Sequence, residues 1–154
     1  MAADTPKGPY TYNVVIDRVV DGDTIDVHID LGFDCWLRHQ RVRLAGIDAP
    51  ESRTKDLLEK KFGLITKGVV EAWCKPGAKV VMATQLRGRE KFGRILGTIF
   101  FEGDGGNCIN LNHFLIENRH AVKYNGENKE LMKEAHLENF QYLQDSGRIN
   151  LANH

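Results

Sequence analysis

Residues 43–51 read Arg43-Leu44-Ala45-Gly46-Ile47-Asp48-Ala49-Pro50-Glu51. The stretch changes character at its centre. Val42 and Leu44 alternate with Arg41 and Arg43, which is the period of a half-buried strand. Pro50 removes a ladder donor and fixes its own φ, so the strand stops before it. From about Lys55 to Cys74 the period becomes helical. Leu58, Phe62, Ile65, Val69 and Ala72 recur at spacings of four and three and make one apolar stripe. Lys75-Pro76-Gly77 ends that helix.

Towards the N-terminus two further strands precede this one. Val14, Ile16 and the Val19-Val20 pair are β-branched, and Asp21-Gly22 interrupts them; Ile25, Val27, Ile29 and Leu31 then alternate with polar residues up to a turn at Gly32. The third strand runs from about Cys35 to Ile47. Towards the C-terminus a fourth strand covers about Lys79 to Leu86 and a fifth about Arg94 to Phe101. Asn110 is placed to cap a short helix carrying Leu111, Phe114 and Leu115, and a last helix spans about Lys129 to Ser146. The order is three strands, helix, two strands, two helices. A helix between the third and fourth of five short strands predicts an α+β fold, a five-stranded OB-fold β-barrel with three α-helices. With 154 residues the chain has room for one ordinary domain. We place it at residues 10–154, after a flexible arm at 1–9 that holds Pro6, Gly8 and Pro9.

Lys plus Arg and Asp plus Glu number 21 each, so the chain lacks the overall positive charge of a protein that coats nucleic acid. An enzyme needs only a locally positive site, and a bound cation can add to it. No apolar run reaches the roughly 18–20 residues of a membrane span. Met1 to Pro9 has no apolar core of a secretory signal, so a cytoplasmic location is expected. Cys35, Cys74 and Cys108 fall into no metal-binding pattern and read as reduced, mostly buried thiols. The six histidines form no zinc motif.

Three segments bring chemistry. In Asp21-Gly22-Asp23-Thr24 two carboxylates flank a glycine at a strand-to-strand turn, a donor pair suited to a hard cation. The same tetrapeptide also reads as an Asp-Gly hairpin. Asp48 and Glu51 form a second pair, stiffened by Pro50. A carboxylate held there can take a proton from water, although acidic residues also favour the start of a helix. Arg43 lies five residues before Asp48, an odd offset that points the two to opposite faces of a regular strand. They share one site only if the chain turns or bulges near Gly46. Arg94, after Gly93, can present a bidentate fork to a phosphate or simply guard a strand edge.

In order and spacing, these segments together with Lys91-Phe92-Gly93-Arg94 resemble the staphylococcal nuclease (thermonuclease) family, over roughly residues 12 to 146. The resemblance implies a five-stranded OB barrel with three helices. It also implies Ca²⁺-dependent hydrolysis of DNA and RNA that leaves 3′-phosphate ends. One Ca²⁺ would be held by the carboxylates of Asp23 and Asp48 and the main-chain carbonyl of Ala49, with Asp21 acting through water. Glu51 would be the general base, and Arg43 and Arg94 would grip the scissile phosphate. Lys91 would hold a terminal phosphate, and Tyr124 would stack on a base. The chain departs from well-known members in its balanced charge and in its long connection from Leu31 to Arg41. DNA and RNA are the expected partners, with no membrane and no obligate protein partner, and the chain is expected to be a monomer. Two rival readings are a non-catalytic nucleic-acid- or protein-binding module on the same barrel, and an OB-fold protein for another ligand in which these charges are surface ion pairs.

Overall fold

The computed structural model describes residues 2–4, 6, 8–85, 93–103, 107–126 and 129–148. The elements in chain order are β1 (Ala2–Asp4), β2 (Thr11–Asp21), β3 (Thr24–Asp30), β4 (Trp36–Leu44), β5 (Ile47–Asp48), α1 (Leu57–Trp73), β6 (Lys79–Ala83), β7 (Ile95–Glu102), β8 (Asn107–Asn110), α2 (Leu111–Glu117), β9 (Val122–Lys123) and α3 (Lys129–Asp145). Strands β2, β3 and β4 pair antiparallel in succession. β4 then pairs parallel with β7, β7 pairs antiparallel with β6, and β6 returns to β2. The ring closes with five strands, and α1 lies between the third and the fourth as expected for an OB barrel.

The alternating apolar residues fill the barrel. Val14 and Ile16 of β2, Ile25 and Val27 of β3, Val42 and Leu44 of β4, Met82 of β6 and Ile99 of β7 share one core with Val70 of α1 and Leu111 and Leu115 of α2. Asp56 caps α1 by accepting from the amides of Leu58 and Glu59 at 3.0 and 3.2 Å. The buried face of α1 differs from the expected stripe: Phe62, Ile65, Thr66 and Val70 are buried, whereas Leu58 and Ala72 are exposed. The cause is that α1 packs on two neighbours. Trp73 lies against Phe101 and Phe114 of the barrel side, at 5.3 Å from each ring. Phe62 and Ile65 meet Phe140 and Leu143 of α3 in a second core, with the Phe62 and Phe140 rings stacked 3.9 Å apart.

Other expectations change in detail. The third strand divides: β4 ends at Leu44, the chain turns through Gly46 (φ 77°), and β5 pairs with β9 in a separate small sheet. Within the stretch read as an arm, Ala2–Asp4 forms a strand against β8. Cys74 and Cys108 are buried, but Cys35 is exposed; all three are free thiols. Burial pushes the Cys74 thiol up to about 12. Among the described residues, no helix is long and apolar enough to cross a membrane.

Candidate active site

At one end of the barrel, where β2, β4 and β5 finish, Asp21, Asp23, Arg43, Asp48, Ala49, Glu51 and Arg94 line a single cleft of about 270 Å³, with Val20, Thr24, Arg41, Arg53 and Lys129. The three segments singled out in the sequence therefore meet. Lys91 lies outside the described residues. Tyr124 is not among the lining residues; its amide donates to the Gly46 carbonyl at 2.9 Å, and its ring lies 5.7 Å from the Lys129 ammonium at the cleft edge.

Gly22 joins β2 to β3, and its role is spatial. It is not among the left-handed glycines. A Cβ there would stand 2.7 Å from Thr66 Cγ2 on α1 and 3.0 Å from Ala49 Cβ. The missing side chain lets the Asp21–Asp23 turn press against both segments. Asp23 is then tied down from several sides. Its Oδ1 accepts from the Thr24 hydroxyl at 3.0 Å, its Oδ2 accepts from the Ala49 amide at 3.0 Å, and its carbonyl accepts from the Leu44 amide at 2.8 Å.

Gly46 resolves the odd offset between Arg43 and Asp48. The left-handed turn swings Asp48 back so that Arg43 Nη2 lies 3.2 Å from Asp48 Oδ1, while Nη1 lies 3.2 Å from Asp23 Oδ2. One guanidinium thus spans both carboxylates, and the arginine is only 7% exposed. The parallel register that sets Arg43 opposite Leu96 brings Arg94 to the same cleft, just after left-handed Gly93. The turn is stitched from below by Asn112 of α2, whose side-chain amide donates to the carbonyls of Ala45 and Gly97 at 2.9 and 3.1 Å.

Asp48 carries two partners that the sequence reading missed, both on α3. His136 Nε2 lies 3.0 Å from Asp48 Oδ2, and the Lys129 ammonium lies 3.3 Å from Oδ1. Burial alone would raise the Asp48 carboxyl. The hydrogen bond from His136 and the charges of Lys129 and Arg43 outweigh it and hold the group below the ordinary carboxylate range. A usable signal existed: His136, Asn139, Phe140 and Leu143 recur at helical spacing, which groups the histidine with the buried face of α3. Glu51 is exposed at the rim. Its position depends on Gly63 of α1, where a Cβ would run into the Glu51 carbonyl and the Ser52 amide.

The donors suit a hard cation. Asp23 and Asp48 converge closely enough to share one guanidinium, their side chains are 14% and 9% exposed, and every ligating side-chain atom they offer is a carboxylate oxygen. A second ionisable cluster lies elsewhere on the sheet. The potential ligand atoms of Asp17, His28 and His39 fall within 4.8 Å of one another. There the His39 amide donates to His28 Nδ1 at 3.1 Å, which leaves the ring proton on Nε2, the nitrogen 3.8 Å from Asp17 Oδ1. In that tautomer His28 has no free lone pair for an ion, and the cluster is a hydrogen-bonded surface group.

The sequence profile of the family described as Staphylococcal nuclease homologue matches residues 41–151. That span holds Arg43, Asp48, Ala49, Glu51 and Arg94, while Asp23 lies ahead of it. The chain is 28% identical over 124 residues to Endonuclease YhcR of Bacillus subtilis (strain 168), covering 77% of this chain and 9% of the relative. It is 31% identical over 121 residues to Succinoglycan biosynthesis protein ExoI of Rhizobium meliloti (strain 1021), covering 76% of this chain and 55% of the relative. It therefore spans about half the length of one relative and about a tenth of the other. With the family profile covering most of its length and an OB barrel beneath the cleft, the chain belongs to the staphylococcal nuclease homologue family.

Proposed function

We propose that this chain is a calcium-dependent endonuclease that hydrolyses phosphodiester bonds of DNA and RNA and leaves 3′-phosphate ends, acting as a monomer in the cytoplasm. One observation carries the reading: Asp23, Arg43, Asp48, Glu51 and Arg94, drawn from three separate segments, line one cleft. Membership of the family and similarity to a protein named as an endonuclease support it.

In this reading the carboxylates of Asp23 and Asp48 and the carbonyl of Ala49 hold one Ca²⁺. When bound, it supplies Lewis-acid stabilisation of the negative charge that builds on the phosphate. Glu51, at the open rim, accepts a proton from the attacking water. Arg43 and Arg94 donate hydrogen bonds to non-bridging oxygens, and preset donors of this kind bind the transition state more strongly than the ground state. Arg43 now spends its N–H groups on Asp23 and Asp48. Cation binding at those carboxylates would free it for phosphate. Lys129 and Arg53 add positive charge at the cleft wall, which offsets the lack of overall basic charge. Tyr124, whose ring lies 5.7 Å from the Lys129 ammonium, would stack on a base at the edge of the cleft.

The binding-only alternative draws on the ion pairs that Arg43 and Lys129 already make with Asp48. Incubation with single-stranded DNA or RNA, in Ca²⁺ or in excess chelator, separates the two. The nuclease reading expects cleavage that the chelator abolishes and products ending in 3′-phosphate. Binding without cleavage in Ca²⁺ would overturn it in favour of the module.

A further inference from the structure

We infer that His136 is a positioning residue, whose ring N–H fixes the Asp48 carboxylate in the orientation needed to hold the cation. This inference rests on the calcium reading of the cleft.

His136 is 5% exposed, and its two ring nitrogens differ. Nε2 lies 3.0 Å from Asp48 Oδ2. Nδ1 is buried and has no hydrogen-bond partner among the described residues. A proton on Nδ1 would be a buried donor with nothing to receive it, which is costly. The ring proton therefore sits on Nε2, where it is donated to Asp48. The ring itself is held in place. It lies against Phe140 at 6.1 Å between centroids, and Phe140 stacks on Phe62 of α1. Asn139, one residue before Phe140, donates to the Ala121 carbonyl at 3.4 Å, so α3 is pinned on both sides of the contact.

The consequence is a division of labour between the two oxygens of Asp48. Oδ2 is committed to His136. Oδ1 is the oxygen that faces cations, with Arg43 Nη2 at 3.2 Å and Lys129 Nζ at 3.3 Å. The Lys129 side chain is more than half exposed, whereas that of His136 is buried with its ring against Phe140. His136 also acts across 88 positions in sequence, through Asp48 and not from the cleft lining. Hydrogen bonds that orient a ligating carboxylate typically change metal affinity about 10–100-fold when removed.

The test is a calorimetric Ca²⁺ titration of the whole chain as wild type, His136→Leu and His136→Gln, with thermal unfolding measured in the absence of Ca²⁺. We expect His136→Leu to bind Ca²⁺ about 10–100-fold more weakly. His136→Gln, which keeps a donor, should recover most of that loss even if both variants unfold at the same lowered temperature. Wild-type affinity in His136→Leu, or an equal loss in His136→Gln, would overturn the inference while the calcium reading stands. No binding by the wild type would overturn the calcium reading and the inference with it. A readout that needs no variant is the ¹⁵N chemical shifts of the His136 ring. They should report the Nε2–H form, and an Nδ1–H form would overturn the inference.

Discussion

Strands β2 to β5 and the turn between β2 and β3 carry two clusters of ionisable side chains. At the strand ends, Asp23, Arg43 and Asp48 meet with side chains 14%, 9% and 9% exposed. Mid-strand, Asp17, His28 and His39 meet with side chains 31%, 15% and 74% exposed. Both depend on irregular backbone. The second sits at register shifts between Ile16 and Arg18 and between Val27 and Ile29, with His39 itself in a left-handed conformation. The first depends on the turn at Gly46 and the close approach at Gly22. What differs is the cover. Over the strand ends, α1 supplies Thr66 and Gly63 and α3 supplies His136, so charges meet in a medium of lower dielectric, where each interaction is stronger. The mid-strand cluster is more open, and solvent screens its charges. A bulge can gather polar groups, but a site needs a second layer of structure to hold and desolvate them.

Substitutions can break this contrast, and the largest expected effect is at Arg43. Arg43→Lys removes the fork that spans Asp23 and Asp48, and we expect turnover of single-stranded DNA in Ca²⁺ to fall about 10²–10³-fold. Undiminished turnover would mean that the guanidinium is only an ion-pair partner. Next comes the cover itself. Gly63→Ala forces α1 away from the Glu51 segment, and we expect a loss of about 1–3 kcal/mol. By calorimetry that is a drop in Tm of roughly 2–4 °C for each kcal/mol in a domain of this size. Slower turnover should accompany it, because Glu51 moves. An unchanged Tm would show that the helix is not seated as described.

A smaller effect separates ion pairs by pH. Asp26 of β3 accepts from Arg41 at 2.9 Å and from Arg18 at 2.9 Å. Burial raises its carboxyl, but these two partners outweigh burial and hold it below the ordinary range. A carboxyl depressed in the folded state stabilises fully above its unfolded pKa, near about 4, and that contribution is lost as pH falls through the lower folded value. Thermal unfolding between pH 7 and 3 should therefore show wild type losing more stability than Asp26→Asn below about pH 4. Parallel curves would contradict the pairing. The smallest effect is at the exposed cluster: His39→Ala should change stability by no more than about 0.5 kcal/mol and leave metal-dependent cleavage unaltered. A lost metal response there would reverse the contrast.

Much of the barrel was legible because buried strands keep a period of two over five or more residues, as in Ile25, Val27 and Ile29. Strands β5 and β9 were not, since two residues carry no period. The apolar stripe of α1 was right at Phe62 and Ile65 but not at its ends, because a one-dimensional pattern does not say that Val70 more than Val69 enters the barrel core, or that Leu58 and Ala72 meet no neighbour that buries them. In the cleft, Asp23, Arg43, Asp48, Glu51 and Arg94 stood out as three charged segments at strand ends. His136, Lys129 and Asn112 did not: helical spacing groups His136 with a buried face, but nothing local says that these helix residues reach strand ends far away in sequence. Gly63 was also silent: a glycine inside a helix reads as a local weakness, and its worth appears only where another backbone passes close by.

The most direct measurement is cleavage of single-stranded DNA by wild type and Glu51→Gln side by side, each in Ca²⁺ and in excess chelator. Wild type should cleave only with Ca²⁺. Glu51→Gln should lose about 10²–10⁴-fold in kcat, as expected on removing a general base, while keeping its Tm and its Ca²⁺ affinity. Full activity in Glu51→Gln, or equal wild-type cleavage in chelator, would contradict a calcium-dependent site built on Asp23, Asp48 and Glu51.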